Sequence, residues 1–127
     1  MKKDIIKTAN APEPIGPYSQ AVESDGTLYC SGQIPIDPVT GDIPETAEAQ
    51  THLVLSNLRA VLKEAGAELE DVVKTTVFLT DLELFASVNA IYGEYFDEAT
   101  APARSTVQVA ALPKGVLIEI DAIAKLN

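Results

Sequence analysis

Residues 116–124, VLIEIDAIA, alternate in a way that fixes a β-strand with two unlike faces. Successive strand side chains point to opposite sides of a sheet. Val116, Ile118, Ile120 and Ala122 therefore form one apolar row, and Leu117, Glu119, Asp121 and Ile123 form the opposing one. A sheet built on this strand has one face made for a core and a second face that is neither greasy nor fully polar. What covers that second face is the question the chain poses.

The remaining patterns limit the answer. SQAVESDGTLYCSG holds two short β-patterned runs around Asp25-Gly26, a two-residue signal for a type I′ hairpin. IPIDPVTGDIPET is loop chemistry, with three prolines and a Pro-x-Thr-Gly turn. Residues 46 to about 65 carry Val54, Leu58, Val61, Leu62 and Ala65 at helical spacing, and Gly66 stops them. DVVKTTVFLT, residues 71–80, is a strand in which Lys74 and Thr76 alternate with Thr75 and Val77. Thr80 with Glu83 three residues later predicts a capping box for a second helix, on which Phe85, Val88, Tyr92, Tyr95 and Phe96 line one face. ARSTVQVAAL and VLIEIDAIA follow, joined by PKG. The order ββ-α-β-α-ββ predicts a single α+β domain over residues 1–127, a mixed β-sheet with two helices packed on one face.

In the 104–112 strand, Ser105, Val107, Val109 and Ala111 form the apolar set expected under the helices, with Arg104, Thr106, Gln108 and Ala110 on the second face. Two helices cannot cover both faces, so the second face is expected to pack against copies of itself in a closed homo-oligomer; a solvated face with two stray apolar residues is the alternative. The last two strands are expected to run oppositely through a short turn, so that position 119 lies level with roughly position 109. Arg104 is then about five residues away, on the order of 16 Å along the sheet at ~3.3 Å per residue. Arg104 and Glu119 would more easily serve one small ligand from neighbouring subunits.

Composition excludes several classes. A formal net charge of −10 repels phosphate backbones and anionic lipid, so nucleic-acid and membrane binding are not expected. A small anionic ligand fits only where a local cation overrides that field, and Arg104 is such a group. No apolar run approaches the ~20 residues of a membrane helix, and the start, MKKDIIKTANAPEP, has too short an apolar segment for a signal peptide. The lone cysteine, Cys30, fits a reducing cytoplasm and a small buried strand residue. The lone histidine, His52, has no second ligand for a metal and is read as solvated.

Taken in order, IGPYSQA, YCSGQIPIDPVTG, VVKTTVFLTD, FASVNAIYGEYF, PARSTVQVAALPKG and IEIDAIA closely resemble the RidA (YjgF) family of enamine/imine deaminases, from about residue 8 to the C-terminus. The resemblance implies a chorismate-mutase-like fold assembled as a homotrimer with sheets inside and helices outside. It places the sites in clefts between subunits and needs no metal or cofactor. The implied activity is hydrolysis of 2-aminoacrylate, 2-iminopropionate and 2-iminobutanoate to 2-keto acids and ammonia, protecting pyridoxal-phosphate metabolism. The family arginine that pairs with the substrate carboxylate falls on Arg104, and the glutamate of IEI on Glu119. The substrate-binding positions fall on Tyr18, Ser31, Gly32, Asn89 and Thr106, the last standing where the family commonly has cysteine.

These residue types suit that chemistry. A guanidinium presents a planar fork to a carboxylate, and a nearby glutamate can take a proton from water adding to the imine carbon. Arg104 has a plainer reading as a structural ion pair with Asp121 or Glu119 across the interface. The same pocket also suits a non-catalytic regulator binding 2-keto acids. RNA cleavage, a role sometimes linked to this family, is opposed by the charge.

Overall fold

A computed structural model describes residues 2–127. Its strands are β1 Asp4–Ile6, β2 Ala21–Ser24, β3 Thr27–Gln33, β4 Val72–Leu79, β5 Ala103–Gln108 and β6 Ile118–Lys125; its helices are α1 Ala47–Glu64 and α2 Phe85–Tyr95. The strands form one mixed sheet in the order β1-β2-β3-β6-β4-β5. Among the described residues only β4 and β5 pair in parallel, and α2 supplies the crossover such a pair requires.

The α+β reading with helices over one face holds. Ile118, Ile120, Ala122 and Ala124 of β6 are buried together with Leu28 and Cys30 of β3 and Thr75, Val77 and Leu79 of β4. Against them α1 packs Val54, Leu55, Leu58, Val61 and Leu62, all fully buried. Burial of one such side chain stabilises the fold by about 1.5–3 kcal/mol. The helix starts where Thr46 Oγ1 accepts the Ala49 N–H at 3.1 Å. It ends where Gly66, at φ +82°, lets the Ala67 N–H reach the Leu62 carbonyl at 2.9 Å and the Gly66 N–H reach that of Lys63 at 3.0 Å. Asp25 and Gly26, at φ +52° and +76°, make the hairpin turn that the sequence calls for.

Buried polar side chains tie the loops down. Asn57 donates from Nδ2 to the carbonyls of Ile34 and Ile36 at 3.1 and 3.0 Å. Gln50 bridges the Pro44 carbonyl and the Leu117 N–H, both at 2.8 Å. Gln20 accepts the Thr8 N–H at 2.7 Å and donates to the carbonyls of Thr8 and Pro12 at 3.0 and 2.9 Å.

Four sequence expectations are corrected. β1 is an additional strand, too short to show a period, paired to β2 through Asp4↔Glu23 and Ile6↔Ala21. The second helix is not opened by a Thr80 capping box: Asp81 accepts the Glu83 N–H at 2.9 Å and caps a 3-10 turn, Leu82–Leu84, that leads into α2. Thr80 instead follows β4 and donates its N–H to the Leu117 carbonyl at 3.1 Å. β5 and β6 are not neighbours, because β4 lies between them; Glu119 stands opposite Phe78, and Phe78 opposite Val107. Finally, the faces of β5 are reversed. Arg104, Thr106 and Gln108 pair in register with the buried Thr75, Val77 and Leu79, so they share the helix side, and Ser105 and Val107 share the open side. The physical reason is that β5 is an edge strand beyond the core. Five of its six residues are exposed, so burial never imposed a pattern on its sequence.

Candidate functional site

The site residues fall into two groups on opposite faces of the sheet. The first lies on the helix side of the β5 edge. Arg104 is exposed, and its Nη1 donates to Asn89 Oδ1 at 2.8 Å. Its guanidinium carbon sits 4.8 Å from the Tyr92 ring centre and 5.4 Å from that of Phe85. Residues 85, 89 and 92 share one face of α2, which delivers all three contacts from a single element. Behind the arginine, the Tyr92 hydroxyl and Thr75 Oγ1 are hydrogen-bonded at 2.7 Å, both side chains buried. Burial raises the Tyr92 hydroxyl pKa, against opposing effects of the Thr75 bond and the Arg104 charge. Thr106, half-buried, follows on the same face of β5.

The second group lies on the open face and at the neighbouring end of β3. A Cβ built on Gly32 would fall inside the Glu119 carboxylate, so the absence of a side chain at position 32 is what lets that carboxylate lie against β3. The close approach occurs where the β3–β6 register shifts between Cys30 and Gln33; such bulges re-aim neighbouring side chains. Burial, and then the charge of Asp121, pushes the Glu119 carboxyl above the ordinary glutamate range. Asp121 is itself engaged, its Oδ1 accepting the Thr76 N–H at 3.1 Å. Ser31 donates from Oγ to the Ser19 carbonyl at 2.6 Å, and its N–H reaches the Gln20 carbonyl at 2.9 Å. Ser31 thus holds the segment carrying Tyr18, which is half-exposed. Tyr18 and Gly32 line a groove of about 370 Å³ with Pro12, Ile15, Pro113 and Lys114.

The structure therefore joins Arg104 to Asn89 and Glu119 to Gly32, and sets Tyr18 beside Gly32. It does not join Arg104 to Glu119. Their offset along the strands is three residues, from Arg104 to Val107, or about 10 Å. That is shorter than the sequence estimate, but the side chains leave the sheet in opposite directions. Among the described residues the one ion pair is Lys7–Glu13 at 3.9 Å, so within the chain Arg104 has no carboxylate partner.

Phe85 and Tyr92 were legible as an apolar helix face but not as walls around Arg104. The available signal was their spacing from Asn89, four and three residues away. Cys30 is buried, and burial with the Asp121 charge pushes its thiol up to about 12, which makes it inert. His52 is exposed on α1, its Nδ1 hydrogen-bonded to the Tyr95 hydroxyl at 2.8 Å. Among the described residues no helix is long and apolar enough to cross a membrane.

Comparison with known proteins adds four findings. The family described as endoribonuclease L-PSP matches residues 8–126. A RutC family protein of Synechocystis is 59% identical over 128 residues, covering 99% of this chain and 98% of the relative. The 2-iminobutanoate/2-iminopropanoate deaminase of Escherichia coli is 52% identical over 121 residues, covering 94% of each. Among solved structures, Escherichia coli TdcF with bound serine matches with a TM-score of 0.93 at 48% identity, covering 98% of this chain and 99% of that one.

Proposed function

We infer the function from one premise: the chain belongs to the RidA family, the family described as endoribonuclease L-PSP. On that premise it is a deaminase, and we propose that its substrates are small 2-imino and 2-enamino acids such as 2-aminoacrylate, 2-iminopropionate and 2-iminobutanoate. The observation that carries this reading is the Arg104 guanidinium, pinned by Asn89 at Nη1 and without a carboxylate of its own. An oriented, unpaired fork at the edge of a chain with net charge −10 is suited to a ligand carboxylate.

The separation of the two groups supports a site shared between subunits. In the proposed homotrimer, chorismate-mutase-like with sheets inward, the Arg104 edge of one copy meets the Glu119, Gly32, Ser31 and Tyr18 side of the next. The open face favours such packing, since Tyr29 and Val107 are exposed on the isolated chain. In this arrangement Arg104 fixes the carboxylate, which sets the adjacent imine carbon beside Glu119. An enamine first takes a proton on carbon to become the imine. Water then adds to the imine carbon while Glu119 takes its proton. Glu119 then returns that proton to the carbinolamine nitrogen and takes the hydroxyl proton as the C–N bond breaks, so the 2-keto acid leaves with ammonia, which carries the last proton away. A carboxyl with a raised pKa suits a group that must accept a proton and return it. Tyr18 and Thr106 complete the walls. The reaction needs no cofactor in this scheme, and a reducing cytoplasm suits it. RNA cleavage, which the family description names, is disfavoured by 19 acidic against 9 basic residues.

The test is 2-keto acid release from freshly generated 2-aminoacrylate by wild type, Arg104→Lys and Glu119→Ala, with the sedimentation mass measured alongside. Acceleration by wild type, lost in both variants, at a mass of three 13.5 kDa chains is the expected result. Saturable keto-acid binding without acceleration would replace the enzyme by a binding regulator, and a single-chain mass would remove the shared site.

A further inference from the structure

An arginine at the exposed edge of a sheet has about 2 kcal/mol of rotamer entropy to lose before it can present one geometry to a ligand. Here much of that ordering is already done by one face of α2. Asn89 Oδ1 holds Nη1 at 2.8 Å, while the Tyr92 and Phe85 rings lie 4.8 and 5.4 Å from the guanidinium carbon. Aromatic faces carry partial negative charge and attract a cation placed over them. Tyr92 cannot swing away, because its hydroxyl is tied at 2.7 Å to the fully buried Thr75, the residue of β4 in register with Arg104 itself. Phe85 is different: 36% exposed and at the first position of α2, it adds little to the core. Its place over Arg104 is the contact the structure gives it a use for.

We propose that Phe85, Asn89 and Tyr92 are positioning residues that hold the Arg104 guanidinium preorganised, so that its outward N–H donors receive a carboxylate without first being ordered. The geometry stands on the chain alone; the role rests on the carboxylate reading of Arg104. Ordering before binding raises affinity by removing a cost of association. Loss of one ring is therefore read in binding of substrate and product and in KM, with kcat and stability little changed.

The chain has two arginines, so ¹⁵N side-chain NMR reports Arg104 with Arg59 as the only other signal set. In wild type the Arg104 Nη resonances are expected to be resolved by slowed rotation and shifted by the rings. They should collapse toward the average in Phe85→Leu and recover in Phe85→Trp. Titration with 2-ketobutanoate should show affinity about two- to fivefold weaker in Phe85→Leu, the size of an exposed cation–π contact, restored by Phe85→Trp, at an unchanged thermal midpoint. Fully averaged Arg104 signals in wild type overturn the preorganisation. Equal 2-ketobutanoate affinities in wild type and Phe85→Leu overturn the positioning role alone. If 2-ketobutanoate leaves the wild-type Arg104 signals unmoved, the carboxylate reading falls and the positioning role falls with it.

Discussion

Gly32→Ala tests the Glu119 half of the site with a single methyl group. Gly32 has a backbone conformation that alanine adopts without strain, so the whole effect comes from space. The new Cβ would stand 2.8 Å from the Glu119 carboxyl carbon and 3.0 Å from its Cγ. Carbon atoms in contact prefer about 3.5–4.0 Å, so the side chain must retreat by roughly 1 Å. Its end is flexible and only partly buried, so it will turn outward rather than unfold the sheet, and the thermal midpoint should change little. Catalysis is less tolerant: a misplacement of about 1 Å costs on the order of 10²-fold, and a general base contributes roughly 10²–10⁴-fold in all. The assay is keto-acid release from 2-aminoacrylate for Gly32→Ala, Glu119→Ala and the double variant. The expected result is a loss of about 10²-fold in kcat for Gly32→Ala, with the double variant no worse than Glu119→Ala, since both changes remove one function. Wild-type turnover by a folded Gly32→Ala would refute the assignment of Glu119 as base at this position. So would fully additive losses.

Two further perturbations follow from the same structure. Glu119 has its folded pKa raised, first by burial and then by Asp121, so its proton is held more tightly in the folded state. Its contribution to stability is therefore fully present below the ordinary glutamate pKa and lost as pH rises through the raised value. Glu119→Gln should accordingly raise the neutral-pH thermal midpoint while abolishing turnover, and wild-type kcat should fall as pH drops through a value above the ordinary carboxylate range; a lowered midpoint in Glu119→Gln would contradict the burial argument. Gln20→Ala removes the partners of Thr8 and Pro12 and leaves the Thr8 N–H without an acceptor, a loss of about 1–3 kcal/mol. Urea unfolding and faster amide exchange at Thr8 would register it, and an unchanged unfolding midpoint would count against it.

Much of the chain's architecture was legible because burial had written it into the residue order. The β6 row of Ile118, Ile120 and Ala122 faces the helices as its alternation requires, and Glu119 and Asp121 face away. Asp25-Gly26 and Gly66 mark turns that only permissive backbones make. The α1 face was readable for the same reason, although Leu55 joins it and Ala65 stays partly exposed. The motifs that tie the chain to its family were equally plain, since they are strings of residues. Tyr18, Ser31 and Gly32 could be named from them, but not the hydrogen bond by which Ser31 holds the loop carrying Tyr18.

The sequence by itself determined the two helices, the five longer strands and which face of the central strand is core, but not the short β1. Each of these is set by local conformational preference or by a repeating pattern of burial. Only the tertiary structure decided that β4 stands between β5 and β6, that Arg104 leaves the sheet on the helix side, and that α2 surrounds it with Phe85, Asn89 and Tyr92. Strand order depends on how a crossover helix packs, and no pairwise pattern in the sequence encodes it. The direction of an edge-strand side chain is set by the register with its one neighbour, because at the rim of a sheet there is too little burial to mark one face as the inside.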